Sequence, residues 1–254
     1  KTETFTFTKT AITESMITMA QKSYEYTAED IEPELTVVDG STTLVKGDDY
    51  EVTYANNHNT GMAVATITGK AAYKESFEVQ FAITKAPLTI KAKDYTIKQG
   101  EELPTLEMEY EGFKNGETAE VLTTQATIAT TATSASEPGT YDITVSGAEA
   151  ANYELTFVKG TLTIAAADPV TITAKSYEIE YGDELPTFEF TSEGAALVGT
   201  PAITCDIPEG APAGTYPIVI SKGGVTNYND TYVNGTLTIT KAKLTRSEEH
   251  TSEL

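Results

Sequence analysis

Residues 89–105 read TIKAKDYTIKQGEELPT, and eighty-two positions later residues 171–187 read TITAKSYEIEYGDELPT. Further along, Gly139-Thr140-Tyr141 returns as Gly214-Thr215-Tyr216, Asn152-Tyr153 as Asn227-Tyr228, and Thr161–Ile164 as Thr236–Ile239, each spaced by 75. The later copy is therefore seven residues shorter between its Leu-Pro-Thr and its Gly-Thr-Tyr. A chain that repeats itself at such a period is built from stacked small units, so 254 residues read as about three modules and not as one large domain. Reach and multivalent contact grow with each added module, whereas a catalytic site is usually needed once.

Within each unit, apolar residues alternate with polar ones at the strand period. In the second unit Leu106, Met108 and Tyr110 alternate, as do Tyr141, Ile143 and Val145, then Tyr153, Leu155 and Phe157, then Leu162 and Ile164. The third unit matches with Phe188 and Phe190, with Tyr216, Ile218 and Ile220, and with Tyr232, Leu237 and Ile239. The first unit, Lys22–Thr84, is a cousin: Tyr50, Val52 and Tyr54 alternate, as do Phe77, Val79, Phe81 and Ile83. Its GKAAY stretch, Gly69–Tyr73, stands where GAEAANY and GGVTNY stand in the other two. The expected fold is all-β: three small antiparallel β-modules of immunoglobulin-like sandwich type forming an extended rod. A β-grasp-like sheet with one short helix per unit is the alternative. The helical candidate is Asn115–Leu122 with Asn115 as cap. Lys159-Gly160 and Asn234-Gly235 each separate two strands, and the second pair is favoured in tight hairpins, so a hairpin is expected there.

The expected divisions are residues 1–10 as the last strand of a preceding unit, then modules at 11–85, 86–167 and 168–242. Residues 243–254 are the start of a fourth unit plus a tail, Arg246–Leu254, that resembles the translation of a sequencing adapter. Residues 5–12, FTFTKTAI, resemble the junctions at Ile83–Pro87, Ile164–Pro169 and Ile239–Lys243. None of these junctions holds a Gly/Ser run, so restricted hinges are expected. With a net charge of −21 spread over every unit, adjacent modules should repel and unfold nearly independently. The same charge disfavours nucleic acid and anionic membranes, and no apolar stretch is long enough for direct membrane insertion. Threonine, at 45 positions, suits exposed strand faces.

Reactive groups are few. The histidines are His58 and His250, and a nucleophilic triad would have to rest on His58 in the polar turn Asn56–Asn59. Cys205 is the single cysteine, so no disulfide closes within the chain, and a partly buried strand position is expected for it. Asp48-Asp49, Glu101-Glu102 and Asp183-Glu184 cluster at glycine turns but lack the alternating spacing of a calcium loop. Tyr141, Tyr153, Tyr216 and Tyr228 recur at strand positions and are expected in the core. No catalytic, cofactor or metal residue is expected. An enzyme would need a pocket made by the seven-residue difference or by the turn at His58.

The pattern Tyr-x-Ile-x-x-Gly-[Asp/Glu]-Glu-Leu-Pro-Thr, Gly-Thr-Tyr, Asn-Tyr and Gly-Thr-Leu-Thr-Ile resembles the MBG domain of bacterial surface proteins. Tyr95–Thr105 with Gly139–Ile164 carries it, and so does Tyr177–Thr187 with Gly214–Ile239. The second unit departs at Gln99, where the third has Tyr181 of the family's Tyr-Gly pair. The first unit resembles a related bacterial surface repeat through Gly47–Tyr54, and together the matches cover about residues 11–242. The resemblance implies an extracellular stalk or adhesin segment, on a bacterial cell surface or secreted, with no activity and no catalytic residues to carry over. Its partners would be neighbouring repeats of the same chain. As an adhesive module it would bind host glycans or matrix proteins.

Overall fold

The computed structural model describes residues 8–243, and the fold they make is all-β. The chain forms β1 (Thr10–Ala11), β2 (Ile17–Met19), β3 (Ser23–Glu25), β4 (Leu35–Asp39), β5 (Thr42–Thr43), β6 (Tyr50–Ala55), β7 (Gly61–Gly69), β8 (Tyr73–Lys74) and β9 (Ser76–Thr84). There follow β10 (Ala86–Ala92), β11 (Tyr95–Lys98), β12 (Met108–Glu111), β13 (Thr127–Thr130), β14 (Gly139–Ser146), β15 (Tyr153–Val158) and β16 (Gly160–Ala165). The last run is β17 (Val170–Ala174), β18 (Tyr177–Glu180), β19 (Phe190–Gly194), β20 (Ala202–Cys205), β21 (Gly214–Ser221), β22 (Asp230–Val233) and β23 (Gly235–Thr240).

One pairing plan is used three times. Four-stranded sheets run β3-β9-β7-β6, β11-β16-β14-β13 and β18-β23-β21-β20, and three-stranded sheets run β2-β4-β5, β12-β10-β15 and β19-β17-β22. In the first sandwich a 3-10 turn at Glu14–Met16 breaks the strand that β10 and β17 keep whole, leaving β1 to pair with β8. Parallel and antiparallel pairs both occur. Pairs such as β6–β7 and β20–β21 are antiparallel, while β3–β9, β10–β15, β17–β22 and β18–β23 are parallel. Parallel neighbours cannot be joined by a two-residue loop, so the chain must cross between sheets.

That crossing corrects the hairpin expected at Asn234-Gly235. β22 pairs with β17 and β23 pairs with β18 and β21, so the two strands flanking Asn234 lie in opposite sheets. The same holds for β15 and β16 around Lys159. The glycine is needed for space and not for positive φ. A Cβ at Gly160 would stand 2.5 Å from the Lys93 carbonyl oxygen, and one at Gly235 would stand 2.6 Å from that of Lys175.

The helix expected at Asn115–Leu122 shrinks to a 3-10 turn, Ala119–Val121, capped by the Thr118 side chain accepting from the Glu120 amide. Asn115 instead takes a positive φ of 44° in the preceding turn. Eight residues are too few to repay helix nucleation without an apolar face to bury. Residues 1–7 of the predicted preceding strand and residues 244–254 lie outside the described residues.

The chain divides into two compact units. The first takes the chain up to Tyr95 with Thr105–Thr131 and Asp142–Leu162. Inside it, one core joins Tyr26, Ala63, Phe81 and Ile83 of the first sandwich to Leu88, Leu122, Ala150 and Tyr153 of the second. This shared core opposes the expectation that these modules unfold independently. A fully buried large apolar side chain is worth about 1.5–3 kcal/mol, whereas exposed charge pairs contribute about 0–1 kcal/mol each and are screened by salt. The second unit takes Thr96–Pro104, Ala132–Tyr141 and the chain from Thr163 onward. Its core gathers Val170, Ile172, Ile218, Ile220, Leu237 and Ile239.

Replacing Gly160 or Gly235 by alanine should destabilise the fold by about 1–3 kcal/mol through overpacking against fixed carbonyls. Gly139→Ala, whose Cβ would find its nearest heavy atom 3.9 Å away, should leave the urea midpoint almost unchanged. Equal midpoints for all three variants would refute the close-approach account.

Candidate functional site

The seven residues by which the second repeat exceeds the third fall in the loop before β13, residues 113–126 after Gly112, against 195–201 after the matching Gly194 before β20. This loop carries Phe113, Lys114 and Glu117, and all three act at the boundary between the first and second sandwiches. The Tyr26 hydroxyl, from the first sandwich, donates to Glu117 Oε1 at 2.8 Å. The Tyr153 hydroxyl, from the second, donates to Glu117 Oε2. One carboxylate thus accepts a phenol from each module. The Lys114 amide donates to the Tyr153 hydroxyl at 2.9 Å, and Lys114 Nζ reaches Glu25 Oε1 at 2.7 Å. The Tyr26 and Tyr153 rings meet edge to face at 5.5 Å, and Phe113 meets Tyr153 the same way at 5.6 Å.

A second set of bonds ties the same boundary at the backbone. The amide of Thr60, in the polar turn, donates to Asn152 Oδ1 at 3.1 Å, and Asn152 Nδ2 donates to Asn59 Oδ1 at 2.9 Å. Lys85 Nζ, at the junction, donates to the Ala150 carbonyl at 2.9 Å. Both tyrosines are 2 % exposed. Burial, reinforced by the Glu117 hydrogen bond, pushes the Tyr153 phenol up to about 12 and raises that of Tyr26.

The residues singled out in the sequence are dispersed. His58 Nδ1 sits 2.8 Å from Asp30 Oδ1 with its side chain half exposed, edge-on to the Tyr26 ring. Cys205 is half-buried on β20 against the second unit's core, and burial, with Asp206 beside it, raises its thiol. The acidic turns use their carboxylates locally: Asp49 accepts from the Val45 amide, Glu101 from Lys98 and Asp183 from Glu180. Each closes its own turn. Among the described residues no group of three or more His, Cys, Asp or Glu side chains could hold a metal ion, and no helix is long and apolar enough to cross a membrane.

Of the four recurrent tyrosines, Tyr153 is buried, Tyr141 and Tyr216 are half-buried, and Tyr228 is 48 % exposed. Tyr141 and Tyr216 donate to the carbonyls of Glu137 and Pro212, four residues back in each case. Tyr228 corrects the core expectation. It holds the repeat position of Tyr153, but its ring lies on the backbone of Gly100, where a Cβ would stand 2.8 Å from the ring. Sequence reading missed Glu117 altogether. The length difference between repeats was its one signal, because a loop longer in one copy has something to contact that the other lacks.

The family model described as MBG domain (YGX type) matches residues 88–163 and 170–238. No curated protein matches the chain. Solved structures similar to it include Dscam1 isoform 6.9, N-terminal four Ig domains, at 11 % identity and TM-score 0.21, covering 89 % of this chain and 72 % of that one. The protocadherin gamma B7 extracellular cadherin domains 1–4 match at 9 % identity and TM-score 0.24, covering 87 % and 75 %. Such scores are too low to align the arrangements, so the sandwich architecture rests on the strand pairing itself.

Both Glu117-bound phenols are favoured in the protonated form, with folded pKa values above the unfolded value near 10. The Tyr153 contribution is therefore fully present below about pH 10 and is lost as the pH climbs through about 12; that of Tyr26 is lost likewise as the pH climbs through its own raised value. Absorbance titration at 295 nm should show late-ionising phenols, Tyr153 and Tyr232 among them, and Tyr153→Phe should lose one of them and keep the other. That variant should lose about 1–3 kcal/mol by stranding the Lys114 amide and one carboxylate lone pair. A Tyr153 that ionised with the exposed phenols would contradict the desolvated junction.

Proposed function

We propose, because the chain belongs to the MBG domain family of YGX type, that it is a non-enzymatic spacer. In this reading it is a segment of a bacterial surface protein, extracellular, that holds a distal part of that protein away from the cell. Its modules are its own first partners. The observation that carries the reading is the shared core and the Glu117 bridge between the first and second sandwiches. A spacer needs its joints to resist bending, and buried aromatic contact plus a carboxylate accepting from both modules supplies that where a flexible linker would not. The acidic surface supports the same reading, because like charge on successive modules keeps separate chains apart in solution.

Repetition spends sequence on length, and here the loop that differs in length between copies acts at a module boundary, where Glu117 bonds across it. The alternative is an adhesive array for host glycans or matrix proteins, in which weak contacts add through avidity. It predicts that divergence between copies gathers on open loops.

Small-angle scattering tests the spacer directly. The longest strands have nine residues, and at about 3.3 Å each a module is roughly 30 Å long. Adding one copy of residues 168–242 should raise the maximum dimension by about that much, and a fixed globular size would overturn the reading. Glycan and matrix-protein arrays probed with the whole chain should stay blank, and reproducible binding would favour adhesion.

A further inference from the structure

The same turn occurs three times, and one hydrogen bond identifies it. The Tyr26 amide donates to the Thr84 carbonyl, that of Gln99 to Ala165 and that of Tyr181 to Thr240, each at 2.9 Å. In every case the acceptor lies on the last strand of the module or at its end.

In the first occurrence the turn is covered. Tyr26 is 2 % exposed beneath Tyr153, the tyrosine of the next module's Asn-Tyr loop. In the second occurrence it is covered again, by the corresponding loop of the third module. Gly100, at φ +91°, lies under the Tyr228 ring, and Lys98 Nζ binds Asp168 Oδ2 at 2.6 Å.

In the third occurrence no ring among the described residues covers the same surface. Tyr181 is 52 % exposed and Leu185 is 54 % exposed. Gly182, at φ +98°, has no described heavy atom within 4 Å of where its Cβ would be. Beside them opens a cavity of about 320 Å³ walled by Ile179, Ile207, Pro208, Ala211 and Ile239. The junction ion pair is nonetheless already present. Glu180 stands at the repeat position of Lys98 and Lys243 at that of Asp168, and they lie 3.8 Å apart with the charges exchanged. The third turn thus matches the covered second turn in its positive-φ glycine and its ion pair, and no ring among the described residues covers it.

We propose that the Tyr181-Gly182 turn, with Leu185 and the Ile207–Ala211 loop, is a docking face for one further module of this family joined after Lys243. Its Asn-Tyr loop places a tyrosine ring over Gly182 and edge-on to Tyr181. The occupant follows from continuity with the two covered turns, where the covering group is each time the tyrosine after an asparagine. The proposal rests on the spacer reading only in taking the occupant to be a module.

Nitration by tetranitromethane, read peptide by peptide by mass spectrometry, tests it on the whole chain. Tyr181 should react freely in the chain as it stands, while Tyr26 is the protected internal standard. A second form carries a copy of residues 168–242 after Lys243, with Tyr181→Phe in the copy so that the reporter stays unique. Its Tyr181 should lose reactivity to the level of Tyr26, and Tyr228→Ala in the added copy should restore it. Circular dichroism confirms that the copy is folded. An equally reactive Tyr181 beside a folded added copy overturns the docking face. Protection that grows with concentration in the unextended chain also overturns it, and assigns the face to self-association. If the maximum dimension still grows with the added copy while Tyr181 stays reactive, the face fails and the spacer stands.

Discussion

Each sandwich depends on the chain passing from one sheet to the other in a single residue. Lys159 and Asn234 are the steps, and Gly160 and Gly235 let the incoming strand lie against the carbonyls of residues 92–93 and 174–175. Because the crossing is this short, β15 and β16 leave the step in opposite layers, as do β22 and β23. Each then takes a parallel partner from the start of its own module: β15 lies beside β10 and β23 beside β18. Side-chain alternation along these strands puts Leu88, Leu162, Ile172 and Leu237 at 0 % exposure between the layers. A side chain at Gly160 or Gly235 would push the layers apart and open the core that holds them.

The joints between modules obey a different logic. The module core is filled by aliphatic residues that recur in each copy, whereas the boundary between the first and second sandwiches depends on a loop longer than its counterpart in the third repeat. Glu117 sits on the longer loop, Tyr26 stands where the other copies have Gln99 and Tyr181, and Thr60 meets Asn152. Net charge argues for repulsion between modules, but at short range it loses to buried area. The charged side chains lie mostly at exposed positions, where screening weakens them, while Tyr26 and Tyr153 are almost fully removed from water. Even Glu117, an acid in an acidic chain, serves as the acceptor that lets two buried phenols keep their hydrogen bonds.

Much of this was legible in the sequence. Period-two alternation located β12, β14, β15, β21 and β23, and the matched spacing aligned GKAAY with the Asn-Tyr loops, which the like parallel pairings of Tyr73 with Thr10 and of Tyr153 with Ala86 bear out. The Asn-Gly hairpin failed because that pair reports only a tight reversal, and a glycine tolerating close approach looks identical to one supplying positive φ. The core assignment failed for Tyr228 because Tyr153 and Tyr228 are the same residue in the same repeat position. What differs is the neighbour, the Tyr26 ring and the Glu117 loop in one case and the bare backbone of Gly100 in the other.

The sequence by itself determined the strands, the number of repeats and the aliphatic core of each. Those are set by alternation and spacing, which act over a few residues and survive duplication. Only the tertiary structure decided which sheet each strand joins, how the layers cross, and that a seven-residue difference becomes a carboxylate shared between two modules. Those outcomes come from contacts between residues far apart in the chain, such as Tyr26 and Glu117, ninety-one positions apart. Such a pairing leaves no periodic trace, because it depends on where a neighbouring module places its surface.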